Sequence, residues 1–283
     1  MTEKIIKGAV AKSAVMRLSN VIRMSRHLKV MPVLNTLPTT YWVTDPMGLK
    51  QTTRVDWRNV VITAEELAAL VIVPDVVLKD AQADIWGQIR PLMEEAIGKA
   101  VDEAVLFGIS KPTSWPDDIK TAAIAAGNTV TEGTGMDISS DFNNVLAGVE
   151  IDGYGVTDSV MQMRLKGQFR GLRSTTGEYL FKPNNPGTEN TVFGTRGTSE
   201  EGDIMGVHTI ISKNGSFEAE DTASANAVSL IAGDWSQLYL AIREDMNIDF
   251  SNSGVIHNSE GLVQFNAWQQ DATIMRVIFR CGF

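Results

Sequence analysis

Between Lys29 and Arg58 the chain shows no helical periodicity; it reads as an extended stretch broken by one sharp turn. The first arm, Lys29 to Thr44, ends in the β-forming run Tyr41-Trp42-Val43-Thr44. Asp45-Pro46-Met47-Gly48 then sets Asp, Pro and Gly at the first, second and fourth positions of a type I turn. Beyond it, Arg54-Val55-Asp56-Trp57-Arg58 alternates polar with apolar, the pattern of a strand with charges on one face. Two strands about such a turn make a hairpin. An arm of about 15 residues at ~3.3 Å per residue reaches ~50 Å. A compact domain of this length has a radius of gyration of only ~19 Å. An isolated two-stranded ribbon is marginal in water, so one bearing Tyr41, Trp42 and Trp57 must lie on something, either its own sheet or a neighbouring copy. The neighbour is expected, with Tyr41, Trp42, Lys50, Arg54, Trp57 and Arg58 as the contact residues.

Ahead of the ribbon, Val10, Ala14, Val15, Leu18 and Ile22 recur at spacings of three and four. That predicts an amphipathic helix within Lys7 to Leu28, an arm rather than a core element. Residues 1–30 hold seven basic side chains (Lys4, Lys7, Lys12, Arg17, Arg23, Arg26, Lys29) against Glu3 alone, a balance of +6. With a net charge of -9 overall, the remaining 253 residues carry -15. An acidic body opposes tight, unaided binding to nucleic acid. The basic arm suits nucleic acid, an acidic partner or an acidic patch on another copy, or is simply the solvated face of the helix.

After the ribbon, Leu67 to Val73 is predicted as a strand because Pro74 blocks a helix there, although Thr63-Ala64-Glu65-Glu66 has capping-box spacing. The strongest helix is predicted from Val76 to Phe107, with Ala81, Ile85, Ile89, Leu92, Ala96, Ala100 and Ala104 as its apolar stripe and Gly108 as its stop. Pro91 should bend or divide it. Thirty residues at ~1.5 Å each give ~45 Å of helix, long for a globular domain. Residues 109–140 are rich in loops, and 141–211 mix short helices, strands and turns. Pro183 to Gly202 reads as a mobile loop. Leu238 to Phe250 and Thr273 to Phe279 read as strands joined by a turn over Ser251 to Glu260.

Chemistry is sparse. His27, His208 and His257 are widely separated, and Cys281 is the one cysteine, so no zinc site, disulfide or sheltered thiol nucleophile is expected. Neither a Gly-x-Ser-x-Gly elbow nor a phosphate loop is present. Gly133-Thr134-Gly135 and Gly153-Tyr154-Gly155 are turns, and Asn214-Gly215-Ser216 is a chance glycosylation triplet. The acidic pairs Glu94-Glu95, Asp117-Asp118 and Glu200-Glu201 read as solvated surface. No apolar run approaches the ~18 residues of a membrane span, and no signal peptide is expected, because Met1 to Val10 has charge but no long apolar run. No catalytic residue, metal or cofactor is expected.

The order of elements resembles the major capsid proteins of tailed bacteriophages, the Hong Kong phage capsid fold, which encapsulins share. The resemblance rests on residues 67–80 (Leu67-Ala68-Ala69-Leu70-Val71-Ile72-Val73-Pro74 and the helix start that follows). It rests also on Ala100 to Gly108, Leu172 to Phe181, Met205-Gly206-Val207 as a strand entry, and Gly233-Asp234-Trp235-Ser236 running into Ile242-Arg243-Glu244. It implies an α+β phage major capsid fold with an N-terminal arm (1–29), an extended β-hairpin loop (30–62) and a peripheral domain with a spine helix (63–110). An axial domain (111–236) and a closing peripheral sheet (237–283) complete it. The implied function is self-assembly into pentamers and hexamers of an icosahedral virion shell enclosing double-stranded DNA, built in the host bacterial cytoplasm. The implied partners are further copies, a scaffolding protein, a portal, a decoration protein and, by non-specific contact, the packaged DNA, with no membrane. An encapsulin-type nanocompartment shell is the alternative, and a cytoplasmic enzyme the third reading. Some members join subunits through a Lys–Asn isopeptide bond assisted by a buried Glu. Lys50 lies where that lysine would be, but the position matched to the glutamate is Gln269, and without a base the reaction stalls. No cross-linking is expected.

Overall fold

The computed structural model describes residues 13–36, 38–43, 50, 52, 55–80, 85–173, 201–217, 227–258 and 260–283, with the backbone alone at 201 and 244–246. The described chain opens on α1 (Ala14–Leu18), β1 (Asn20–Arg23), β2 (Leu28–Leu34) and β3 (Trp57–Pro74), followed by α2 (Asp75–Asp80) and α3 (Ile85–Phe107). Then come α4 (Ile119–Ala126), α5 (Ile138–Ile151), β4 (Asp158–Gln162) and α6 (Met163–Gly171). The last part is β5 (Glu201–Ile204), β6 (Val207–Ser212), β7 (Leu230–Gly233), β8 (Tyr239–Ser251), β9 (Val255–His257), β10 (Val263–Asn266) and β11 (Ala272–Gly282).

α3 carries two apolar stripes one position apart, and side-chain size decides between them. Met93, Ile97, Val101, Ala104 and Val105 are buried, whereas Leu92 is exposed and Ala96 faces water. The stripe expected from Leu92, Ala96 and Ala100 is therefore corrected by one position: two alanines bury little, while Met, Ile and Val remove more apolar area from water. Pro91 does not divide the helix, which runs from Ile85 to Phe107 as one element. Lacking an N–H, Pro91 gives up only the bond to the carbonyl four residues back. The helix stops at Gly108, whose φ of 71° is left-handed, and Ile109 N–H closes the cap on the Glu103 carbonyl at 3.1 Å.

α3 packs on a five-stranded sheet of order β1-β8-β11-β3-β2. Here β11 pairs antiparallel with both β3 and β8, and β1 joins β8 in parallel. Their common core gathers Met93, Ile97, Val101 and Val105 with Leu240, Met275, Val277 and Phe279. Ala14, Val15 and Met16 of α1 lie in the same core. Two expectations change here. The helix predicted to reach Leu28 ends at Leu18, because the β-branched Val21-Ile22 complete the sheet edge beside Leu240 and Ala241. The arm is also no mere appendage: Ser13 to Met16 are buried in the core, and residues 1–12 lie outside the described residues.

A second, four-stranded sheet of order β5-β6-β4-β7 has its own core, in which Phe142 and Leu146 of α5 meet Leu165 and Phe169 of α6 over Met161 and Ile211. Phe142 and Phe169 stack edge to face at 5.8 Å. The predicted strand entry Met205-Gly206 is a two-residue turn, with φ of 51° and 81°, that reverses β5 into β6. The turn expected over Ser251 to Glu260 contains β9, whose partner β10 makes a small hairpin of its own. The loop expected over Pro183 to Gly202 falls outside the described residues except at its end, where Glu201 and Gly202 open β5; the stretch from Leu172 is described only to Arg173.

Candidate inter-subunit surface

β3 is 18 residues long and serves two purposes. From Ala64 to Pro74 it pairs with β11 inside the sheet, and from Trp57 to Thr63 it pairs with β2 as a ribbon. The register sets Leu34 opposite Trp57, Val33 opposite Arg58, Val30 opposite Val61 and Leu28 opposite Thr63. Residues directly opposite in an antiparallel pair share a face, so Leu28, Val30, Leu34, Trp57 and Val61 line one side. All five are exposed, Trp57 at 62%. On the other side Ile62 is buried at the base of the ribbon with Met31 packed beside it, whereas Val33 and Val60 are exposed, so among the described residues the outer part of the ribbon (Pro32 to Leu34 with Trp57 to Val60) is exposed on both faces. The ladder extends one step further: Asn35 N–H donates to the Asp56 carbonyl at 2.9 Å, and Asn35 Nδ2 donates to its carboxylate at 3.1 Å.

Among the described residues no strand continues past Asn35. Pro38 has no N–H to give to a ladder, and Tyr41-Trp42-Val43, expected as strand, is irregular. Of the six residues read from sequence, Trp57 and Arg58 stand side by side on β3, on opposite faces of the ribbon. Tyr41, Trp42 and Lys50 are exposed in irregular chain, Trp42 at 97%. Arg54 and the turn at 45–48 lie outside the described residues. Gln269, the position matched to the absent glutamate, is exposed rather than buried.

α1 is anchored to α3 by a buried polar clasp that no sequence motif announced. Asp102, wholly buried on α3, accepts at Oδ1 from Ser13 Oγ (2.6 Å) and Val15 N–H (3.0 Å). At Oδ2 it accepts from Ala14 N–H (3.0 Å) and Asn214 Nδ2 (2.6 Å). Ser13 in turn caps α1 by accepting from Met16 N–H at 3.0 Å. Burial pushes the Asp102 carboxyl up to about 6, against those four donors, which pull it down. Nothing in the sequence marks it, because which face of the helix is buried, and with it Asp102 beside Val101, is decided by packing. The Asn214 triplet, read as chance, supplies one of the donors.

Among the described residues no group of three or more His, Cys, Asp and Glu could hold a metal ion, and no helix is long and apolar enough to cross a membrane. Cys281 is buried, and burial pushes its thiol up to about 12, far from a nucleophile. His208 Nδ1 pairs with Asp158 Oδ1 at 2.8 Å on adjacent strands, a part-buried contact.

The chain matches the phage capsid family over residues 1–283. A solved structure from Microbacterium phage Oxtober96 is 33% identical to it with a TM-score of 0.78, covering 96% of this chain and 84% of that one. One from Mycobacterium phage Cain is 26% identical with a TM-score of 0.75, covering 96% and 83%. A structure titled "Capsid of empty GTA particle computed with C5 symmetry" shares the fold, at 16% identity, a TM-score of 0.65 and coverage of 96% and 85%. No curated protein matches the chain.

Proposed function

The chain belongs to the phage capsid family, and from that premise we propose that its copies clasp one another through the ribbon to form pentamers and hexamers of an icosahedral shell around double-stranded DNA. It is a capsid structural protein, located in the virion, that assembles with itself into a shell. The nanocompartment alternative is not favoured. The family is a structural one and not a family of enzymes.

The observation that carries the proposal is the ribbon's exposed apolar face, Leu28, Val30, Leu34, Trp57 and Val61. Contiguous exposed apolar surface on a folded subunit marks an interaction site. A second copy is the partner a shell protein meets most often. Closed assembly needs one surface to pair in slightly different ways at five- and six-fold positions, and a ribbon free of its own body can tilt to do so. Separate scaffolding, portal and decoration proteins, assembly in the host bacterial cytoplasm, and DNA contact through the basic N-terminal residues complete the proposal.

Expression of the chain alone, followed by electron microscopy and sedimentation, tests it. Closed shells or capsomer-sized rings are expected. A monodisperse monomer or dimer at high concentration, with and without a co-expressed scaffold, would overturn it.

A further inference from the structure

The second half of β3 has an open edge. Three backbone bonds show which way its groups face. Asn35 N–H donates to the Asp56 carbonyl and Ala64 N–H to the His27 carbonyl, both at 2.9 Å, so even-numbered residues turn their backbone groups toward the β2 side. Asp75 N–H donates to the Asp271 carbonyl at 2.8 Å, so odd-numbered residues turn toward β11. The alternation is unbroken, because β11 pairs with β3 from Gly282 opposite Ala64 to Ala272 opposite Pro74 without a shift of register. On the even side, however, β2 pairs no further than Leu28 opposite Thr63. Among the described residues nothing bonds the N–H and C=O of Glu66, Ala68, Leu70 and Ile72 along that edge.

Other edges of the two large sheets are guarded. β1, β5 and β7 are four residues each. On β2 the same alternation turns Leu28, Val30, Pro32 and Leu34 outward, and Pro32 has no N–H to offer a further strand. Where β8 runs on beyond β1 its sequence carries Arg243, Glu244, Asp245 and Asp249. Shortness, proline and charge are the devices that keep a strand edge from pairing. From Leu67 to Val73 the chain reads Leu-Ala-Ala-Leu-Val-Ile-Val and has none of them. Leu70 is 52% and Ile72 40% exposed on one face, and Leu67, Ala69 and Val71 are half-buried on the other, against the α3 core. A long apolar edge of this kind is a template for another strand.

We infer that this edge pairs with the same edge of a second copy, antiparallel about a two-fold axis near Leu70, making one continuous sheet that joins two capsomers. The contact rests on the shell-forming reading above and adds a second kind of joint to it. The chain assembles with itself, so further copies are the strands that meet this edge most often. The residues suit self-pairing: an axis at Leu70 sets Ala68 opposite the second copy's Ile72 and Ala69 opposite its Val71, small against large. Between Leu67 and Val73 no charge meets another. The free side of a ribbon's β2 fits less well, because Pro32 stands in its middle. Symmetry assigns the two contacts different tasks. A head-to-tail contact such as the ribbon's builds a ring, whereas an isologous one links one body to another across a two-fold axis. A closed shell of rings needs both.

Ala68→Pro tests the edge directly, because the N–H it removes faces the open side and takes no part in the β11 ladder. The variant should melt like the wild type and still form capsomer-sized rings, while the concentration needed for closed shells rises at least about tenfold. Ile72→Lys, which sets a charge on the exposed face of the edge, should do the same. If the wild type forms neither rings nor shells, the shell-forming reading fails, and this contact with it. If the wild type assembles and both variants close shells at its concentration, the edge contact alone is overturned. It is overturned as well if folded variants lose rings together with shells. A readout independent of the proline uses Leu70→Cys and a short bis-maleimide on intact shells, Cys281 being buried. A band of linked dimers is expected on a denaturing gel, and monomer alone would overturn the contact.

Discussion

Ser13 and Asp102 lie 89 positions apart in the chain and are joined by a buried 2.6 Å hydrogen bond. It ties the first described residue to the C-terminal part of α3, and with Ala14, Val15 and Asn214 it satisfies both carboxylate oxygens. Three separate segments thus meet on one side chain. Asp102→Ala leaves four buried donors facing a void. Each unsatisfied group costs about 1–3 kcal/mol, and after partial relaxation a loss of about 4 kcal/mol in subunit stability is expected, read by urea denaturation of unassembled protein. A loss under about 1 kcal/mol would show that the clasp is not a structural hub.

The same carboxyl gives stability a pH dependence of known sign. Its folded-state value, about 6, lies above the ordinary 3.8, so the folded chain holds the proton more tightly than the unfolded chain. The stabilisation is therefore complete below about pH 4 and is lost as pH rises through about 6. Two units correspond to about 3 kcal/mol. Asp102→Asn cannot titrate, so the wild-type stability minus that of the variant should fall between pH 4.5 and 7.5. A flat or rising difference would contradict the sign.

Trp57 separates folding from assembly. Its side chain projects from the ribbon opposite Leu34 and supports no core. Trp57→Ala should change subunit stability by no more than about 0.5 kcal/mol. Assembly should fall steeply, because an aromatic at the centre of an interface carries much of its energy. Paired denaturation and light-scattering measurements check this; equal loss in both would place Trp57 inside its own fold.

Lys50 and Gln269 are both exposed, and neither position supplies a buried carboxylate. Boiled shells run on a denaturing gel should give a single band at the 30.9 kDa monomer mass. A ladder of covalent multimers, or a mass lower by one ammonia per chain, would mean that another base serves the reaction.

Gly282 gives a purely steric prediction. A Cβ there would stand 2.6 Å from the Thr63 carbonyl oxygen, which also accepts from Trp115 Nε1 at 3.2 Å. Backbone cannot retreat as a side-chain tip can. Gly282→Ala should cost about 1–3 kcal/mol, and a neutral thermal melt would refute the contact.

Local chemistry settled a good deal of this protein in advance. The strand before Pro74, the helix that stops at Gly108 and the closing strands were legible because periodicity, proline and glycine act within a few residues. So was the ribbon as far as Leu34 and Trp57, whereas Tyr41-Trp42-Val43, read as its continuation, is irregular. Which of two adjacent stripes on α3 faces inward, and whether residues 20–23 join a helix or a sheet, turned on surfaces brought by β8 and β11 from more than a hundred residues away. The Asp102 clasp was beyond sequence for the same reason. A carboxylate reads as solvent-facing until long-range packing excludes water, and its donors come from residues that only the folded chain sets beside it.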